Sequence, residues 1–450
     1  MIATMLTVPL PGPPEAAERQ LTHATHGHIL TNTGVGSPDG NWLVYDTRSD
    51  AAGEVFDGER IEMVNVASGH VRLLYQARNG AHCGVATWNP RQMRIVFILG
   101  PEHPAADWQY GPSHRQGVIV DVAEPGLAQN LDAQDLTSPL TLGALRGGSH
   151  LHVWEAAGQW LSFTYNDALL ESELRDVAVA IPSRPMVVPK THPRNRDGNY
   201  FCAVVTRTTA KPKPGSDEIC RACEEAWLGA NGYVRLDGSR QRHALAYQGT
   251  VATAQGKPIA EVFIADLPED LRQPGEEPQA GAAQHRPSPP KGVTQRRLTF
   301  TAERKFPGLQ GPRHWLRSSA DGSRIAFLMR DDSGIVQLWT ISPNGGPPIQ
   351  LTRNAQDIAS AFTWSPDGKF IAHVMDSSVC VTDTASGKTT RLTPRRDDLG
   401  APRPEACVFS PNGEEISYVR RVPEEGRLFN QIFIVNAKRN ASERGESPAK

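Results

Sequence analysis

The residues in this chain best suited to chemistry sit in Gly147-Gly148-Ser149-His150-Leu151-His152. Side chains on a strand alternate between its two faces, so His150 and His152 should share one side. Two imidazoles so placed can ligate a metal, and with a carboxylate oxygen they suit Mn, Zn, Ni or Fe. His152 could equally be a hydrogen-bonded core histidine. Cys220-x-x-Cys223 lacks the second pair of a zinc ribbon and reads as incidental. His23, His26 and His28 read as a solvated surface loop. No Gly-x-Ser-x-Gly, P-loop or dinucleotide fingerprint is present.

The elements that must position these groups come from a recurring phrase. Ser37-Pro38-Asp39-Gly40 returns as Ser319-Ala320-Asp321-Gly322, Ser365-Pro366-Asp367-Gly368 and Ser410-Pro411-Asn412-Gly413, each between strand-like runs. Weaker copies stand at Trp88-Asn89-Pro90, at Trp154 to Trp160 and at Leu228 to Gly232. A second signature ends in Leu-Thr, at Leu136-Thr137, Leu298-Thr299, Leu351-Thr352 and Leu392-Thr393. Four short strands in roughly forty residues make one propeller blade.

The pattern predicts an all-β, seven-bladed β-propeller, with blades at about 26–76, 77–137, 138–207, 208–300, 301–354, 355–394 and 395–437. The last blade lacks its fourth strand, and Arg19-Gln20-Leu21-Thr22 within 15–23 supplies it. Such a clasp removes open sheet edges. Residues 1–14 read as a flexible N-terminus and 438–450 as a disordered tail. Gln273 to Lys291, rich in proline, reads as a disordered loop inside blade four. Residues 219–227 carry both helical and strand signals, and a strand is expected because blade four otherwise has no inner strand.

The first strand of each blade lines the channel. Five residues before each anchor stand Asn32, Gly84, His150, Glu224, His314, Ser360 and Glu405, none with an apolar side chain. His150, His152, His314, Glu224 and Glu405 are therefore the candidate metal ligands. The other reading is a polar channel that holds only water. His82 could reach the same mouth.

A net charge of -2 and a pI near 6.7 argue against a nucleic-acid partner. No apolar run is long enough to span a membrane. The N-terminal segment lacks the basic and apolar regions of a secretory signal, so a cytoplasmic site and reduced cysteines are expected. The oligomeric state stays open.

The run Gln350-Leu351-Thr352 to Phe362-Thr363-Trp364-Ser365-Pro366-Asp367-Gly368 resembles the repeats of TolB-type propellers. The segments 147–153, 162–167 and 325–332 resemble an uncharacterised bacterial family, a domain of unknown function. Oligogalacturonate lyase is a more distant resemblance, carried by the anchors, the seven blades and the inner-strand histidines. It implies a cytoplasmic propeller with manganese in its channel and β-elimination on an oligouronide-like sugar. On that reading the metal would stabilise an enolate, His82 would be the base, and Arg146, Arg313 or Arg403 would clamp a second carboxylate. The partner would be a small anionic sugar. A non-catalytic propeller binding a protein or glycan is the alternative.

Overall fold

The structure is a computed structural model and describes residues 18–49, 55–170, 174–312, 315–396 and 400–437. The expected flexible terminus and tail lie outside these residues, as do Arg313 and His314. The strands form seven antiparallel blade sheets and one small hairpin, Tyr233–Val234 with Arg240–Gln241. Neighbouring strands follow one another in sequence except at two places, the hairpin inserted in blade four and the N-terminal strand in the last blade, so the blades are local meanders laid down in chain order. Blades two, three and four open with inner strands Cys83–Trp88, Gly147–Trp154 and Ile219–Trp227. Blade one keeps only bridges there, Ile29 to Asp46 and Gly36 to Leu43. The last blade runs Pro402–Phe409, Glu415–Glu424 and Arg427–Asn436, and Arg19–Gln20 pairs beside the third. The ring is thus closed by the N-terminal strand.

The two signatures are hydrogen-bonding devices. In the anchor, the serine hydroxyl accepts the N–H at the start of the second strand and donates to the Asp or Asn two residues on. Trp42 N–H reaches Ser37 Oγ at 3.0 Å and Phe370 N–H reaches Ser365 Oγ at 2.9 Å. Ser365 donates to Asp367 and Ser410 to Asn412, both at 2.6 Å. The glycine takes φ near 70°, which a side chain would resist. Glu155 replaces the serine in blade three, and its carboxylate accepts from Ala157 and Gln159 N–H.

The Leu-Thr hydroxyl accepts an N–H of the third strand where the fourth strand leaves it. Thr299, Thr352 and Thr393 do so at 2.9–3.0 Å, and Thr22 does so for Ile432 at 2.9 Å. In blade two this place is held by Asp132, which accepts from Gly117 at 2.8 Å, and not by the expected Thr137. In blade three it is Thr206.

Two further expectations are corrected. The proline-rich stretch in blade four is tied to blade three: Arg286 pairs with Asp176 at 2.5 Å and Ala282 O accepts from Arg146 at 2.7 Å. Residues 219–227 form a strand, but Trp227 is the counterpart of Trp88 and Trp154. The anchor of blade four is therefore Leu228, one residue earlier than the sequence pattern suggests.

Candidate functional site

The one-residue shift exposes a shared feature of three inner strands. Val85, Leu151 and Glu224 each stand three residues before the tryptophan, and each has φ between 56° and 60°. The pairing slips beside each of them, so each inner strand carries a β-bulge. Non-glycine residues in this conformation cost on the order of 1 kcal/mol or more, and such strain collects at functional sites.

The bulge overturns the strand-alternation argument for His-x-His. With Leu151 left-handed, His150 and His152 do not share an environment. His150 is half-buried, and its imidazole makes no hydrogen bond among the described residues. His152 is fully buried, its ring 5.2 Å from Phe163 and hard against Gly117, where a Cβ would fall 2.6 Å from Nε2. Burial pushes its pKa down to about 4. His152 is a packing residue between blades two and three.

The bulges also change the channel. Val85 and Leu151 cluster with Phe56, Val153 and Trp315, an apolar group drawn from blades one, two, three and five. Arg317 of blade five reaches Asn32 of blade one, with Nη2 at 2.5 Å from Oδ1. The channel is therefore crossed by side chains, and the groups gathered around His150 are called the bowl.

Arginines dominate that bowl. Arg48 follows the second strand of blade one. Arg115 and Arg175 precede the third strands of blades two and three. Arg48 is bound bidentately by Asp46, at 2.8 and 2.9 Å, and Asp46 also accepts Val85 N–H at 2.8 Å. Gly84 makes room for this carboxylate, since a Cβ there would lie 3.2 Å from its oxygen. Gly148 lets the 112–115 segment lie on the inner strand, where a Cβ would meet Pro112 O at 2.2 Å. Arg115 stacks over Tyr110 at 5.1 Å, and Tyr110 stacks on Phe56 at 4.4 Å.

Neither Arg115 nor Arg175 has a carboxylate partner among the described residues. Nε of Arg175 donates to Asn166 Oδ1 at 3.2 Å. Nε and Nη1 of Arg115 are buried with no acceptor. Burial, followed by Arg115 and Arg175, holds the His150 pKa well below its usual value, so His150 is neutral. Beneath them Glu225 is buried with both oxygens unpaired, and burial raises its pKa to about 8. Burial also pushes Arg317 down to about 10, against the pull of Glu225 and Glu224.

The other expected site residues divide. Glu405 is buried and takes Arg403 Nη2 at 2.9 Å, so this arginine is engaged within its own strand. Arg146 is buried and bonded to Asp167 at 2.7 Å, a structural ion pair. Glu224 sits in the bulge, and Cys223 occupies the level assigned to it. His82 lies at the rim, its carbonyl accepting Gly100 N–H, with Nδ1 buried and unpaired. A cation beside His150 would face Arg48, Arg115 and Arg175, so this donor set does not fit a metal. Among the described residues one group of three has metal-ligating atoms all within 4.8 Å: His26, His28 and Glu62. The expected solvated loop is wrong there, because His28 is 1% exposed.

A family model described as a protein of unknown function (DUF3748) matches residues 82–196. The "Uncharacterized protein YidR" of Escherichia coli (strain K12) is 45% identical over 424 residues, covering 92% of this chain and 97% of that protein. The chain belongs to the DUF3748 family. The family match covers His82, Tyr110, Arg115, His150 and Arg175, most of the bowl. Among solved structures, an oligogalacturonate lyase in complex with manganese aligns with TM-score 0.54 at 11% identity, over 94% of this chain and 93% of that one. The oligogalacturonate lyase of Vibrio parahaemolyticus aligns with TM-score 0.52 at 12% identity, over 94% of each chain. At such identity these two carry the fold alone. No helix among the described residues is long and apolar enough to cross a membrane.

The bowl arginines and Tyr110 were missed because no local motif marks them. A signal existed: blades one, two and three each place an arginine at the junction of second and third strands, visible once the blades are superposed in sequence.

Proposed function

We propose that the bowl binds a carboxylate-bearing sugar of the oligouronide type, and that the protein is a cytoplasmic lyase cleaving it by β-elimination. The observation that carries this is Arg115, with two buried nitrogens, Nε and Nη1, lacking acceptors, beside the carboxylate-free Arg175 and a neutral His150. Leaving such donors unpaired is costly, and a bidentate carboxylate satisfies them. The apolar floor of Leu151, Val85 and Trp315 suits the carbon face of a sugar ring.

Arg115 and Arg175 would hold the carboxylate and disperse the charge that develops on it. His150 would take the proton from the carbon beside the carboxylate. That C–H electron pair becomes the new C=C bond as the neighbouring C–O bond breaks with its pair, and the departing oxygen takes a proton from water. Burial, and after it arginine charge, makes His150 a poor base in the free protein. A bound carboxylate screens the arginine charge and lifts that part of the depression, so proton abstraction is tied to binding.

The test is calorimetric titration with oligogalacturonates, alongside ultraviolet detection of the unsaturated product. Arg115→Ala should abolish binding, whereas His150→Gln should bind but form no product. Binding by wild type with no product would favour the glycan-binding alternative. Wild-type protein that binds no sugar acid would sink both.

A further inference from the structure

We infer that His26, His28 and Glu62 form a site for a divalent transition-metal ion at the seam where the ring closes. This inference is independent of the sugar-acid bowl. His26 and His28 stack with ring centroids 4.3 Å apart. Nδ1 of His28 lies 2.9 Å from Asn430 O, and Nδ1 of His26 lies 3.0 Å from Gly27 O. A carbonyl oxygen only accepts, so each Nδ1 carries the proton and each Nε2 presents a lone pair. That is the tautomer a metal-bound histidine takes when its other nitrogen is held by a carbonyl.

The carboxylate is held in the same way. Glu62 is 4% exposed, and its Oε2 accepts the Tyr45 hydroxyl at 2.7 Å. That oxygen faces His26 Nε2 at 3.8 Å, while Oε1 pairs with Arg60 at 3.2 Å. Arg60 thus sits at the far oxygen. Two imidazoles and one carboxylate, with a position left for water, suit Zn(II) first, and Mn(II), Fe(II) or Ni(II) as alternatives.

The location gives the ion its role. His26 and His28 follow the clasp strand Arg19–Gln20, Asn430 belongs to the last blade, and Glu62 to the first. An ion there ties the clasp, blade seven and blade one together. Tyr45 and Asp46 are adjacent on one strand and serve the two sites from opposite faces, so the seam and the bowl can be tested apart.

The experiment uses the untagged full chain purified without chelators. Elemental analysis should find one ion per chain, and titration with Zn(II), Mn(II) and Ni(II) should raise the melting temperature. Tyr45→Phe should weaken binding roughly 10–100-fold, the usual effect of losing a supporting hydrogen bond. His26→Ala, at a half-buried position that should not compromise folding, should weaken it further and remove the thermal shift. In wild type the ion should slow hydrogen exchange at residues 19–28. Wild-type protein that binds none of these ions at micromolar concentration would overturn the inference. So would a His26→Ala variant that binds them as wild type does.

Discussion

At the end of the propeller that carries the anchors, Ser37, Ser319, Ser365 and Ser410 make the same two hydrogen bonds in four blades, and Glu155 reproduces the accepting one with a carboxylate that takes Trp160 N–H. At the opposite end no two blades match. Arg48 is neutralised by Asp46, Arg115 stacks on Tyr110 with Nε and Nη1 lacking acceptors, Arg175 holds an asparagine, and blade one meets blade seven where His28 reaches Asn430. The anchor end satisfies its polar groups locally and is repeated because its task is the same in every blade. The bowl end leaves donors and strained backbone unsatisfied, which folding alone does not reward. On the proposed function, this difference is the one expected between a scaffold end and a ligand-binding end.

Substitutions that separate the two ends should differ in kind. Arg115→Ala carries the largest expected effect. Two hydrogen bonds to a charged group at about 1.5–3 kcal/mol each imply affinity for a sugar acid lower by roughly 100-fold to 10,000-fold, read by calorimetry, with the melting temperature little changed.

Glu225→Gln tests the strain beneath the bowl. A carboxyl raised to about 8 in the fold stabilises fully below its unfolded value of 4.5, and that contribution is lost as pH rises through 8. Wild-type stability should therefore fall across this window, by about 3 kcal/mol at pH 7. The glutamine variant should show a flatter profile in denaturant titrations at several pH values. An unchanged slope would mean that Glu225 does not bind the extra proton.

Thr22→Val removes the clasp hydroxyl and leaves Gln431 Oε1 without that donor. A loss of about 1–3 kcal/mol is expected by denaturant unfolding. The smallest effect belongs to the anchor end. Ser365→Ala should cost about 1 kcal/mol by thermal unfolding and leave sugar-acid affinity within error. A change in affinity there would break the separation of the two ends.

The legible parts of the fold were those with local causes. Ser-Pro-Asp-Gly names its own turn, Leu-Thr names the place where the fourth strand ends, and Thr22 revealed the clasp because it repeats that chemistry. Legibility failed where a bulge intervened. One left-handed residue, Leu151, separates His150 from His152 and undoes a two-residue alternation. In blade four the degenerate anchor was placed one residue late, which put Glu224 at the level of Cys223. Arg146 and Arg403 were read as free clamps, but their partners Asp167 and Glu405 are fixed by strand pairing that sequence proximity does not rank.

By itself the sequence determined the repeat, the blade count, the closure of the ring and the candidacy of His150, because each rests on residues near one another in the chain or on a period. Only the tertiary structure decided what surrounds His150. Arg48, Arg115 and Arg175 come from three blades, and His28 meets Asn430 across the closing seam. Charge and desolvation act through space, so these groups acquire their chemistry only when the ring brings separate blades together.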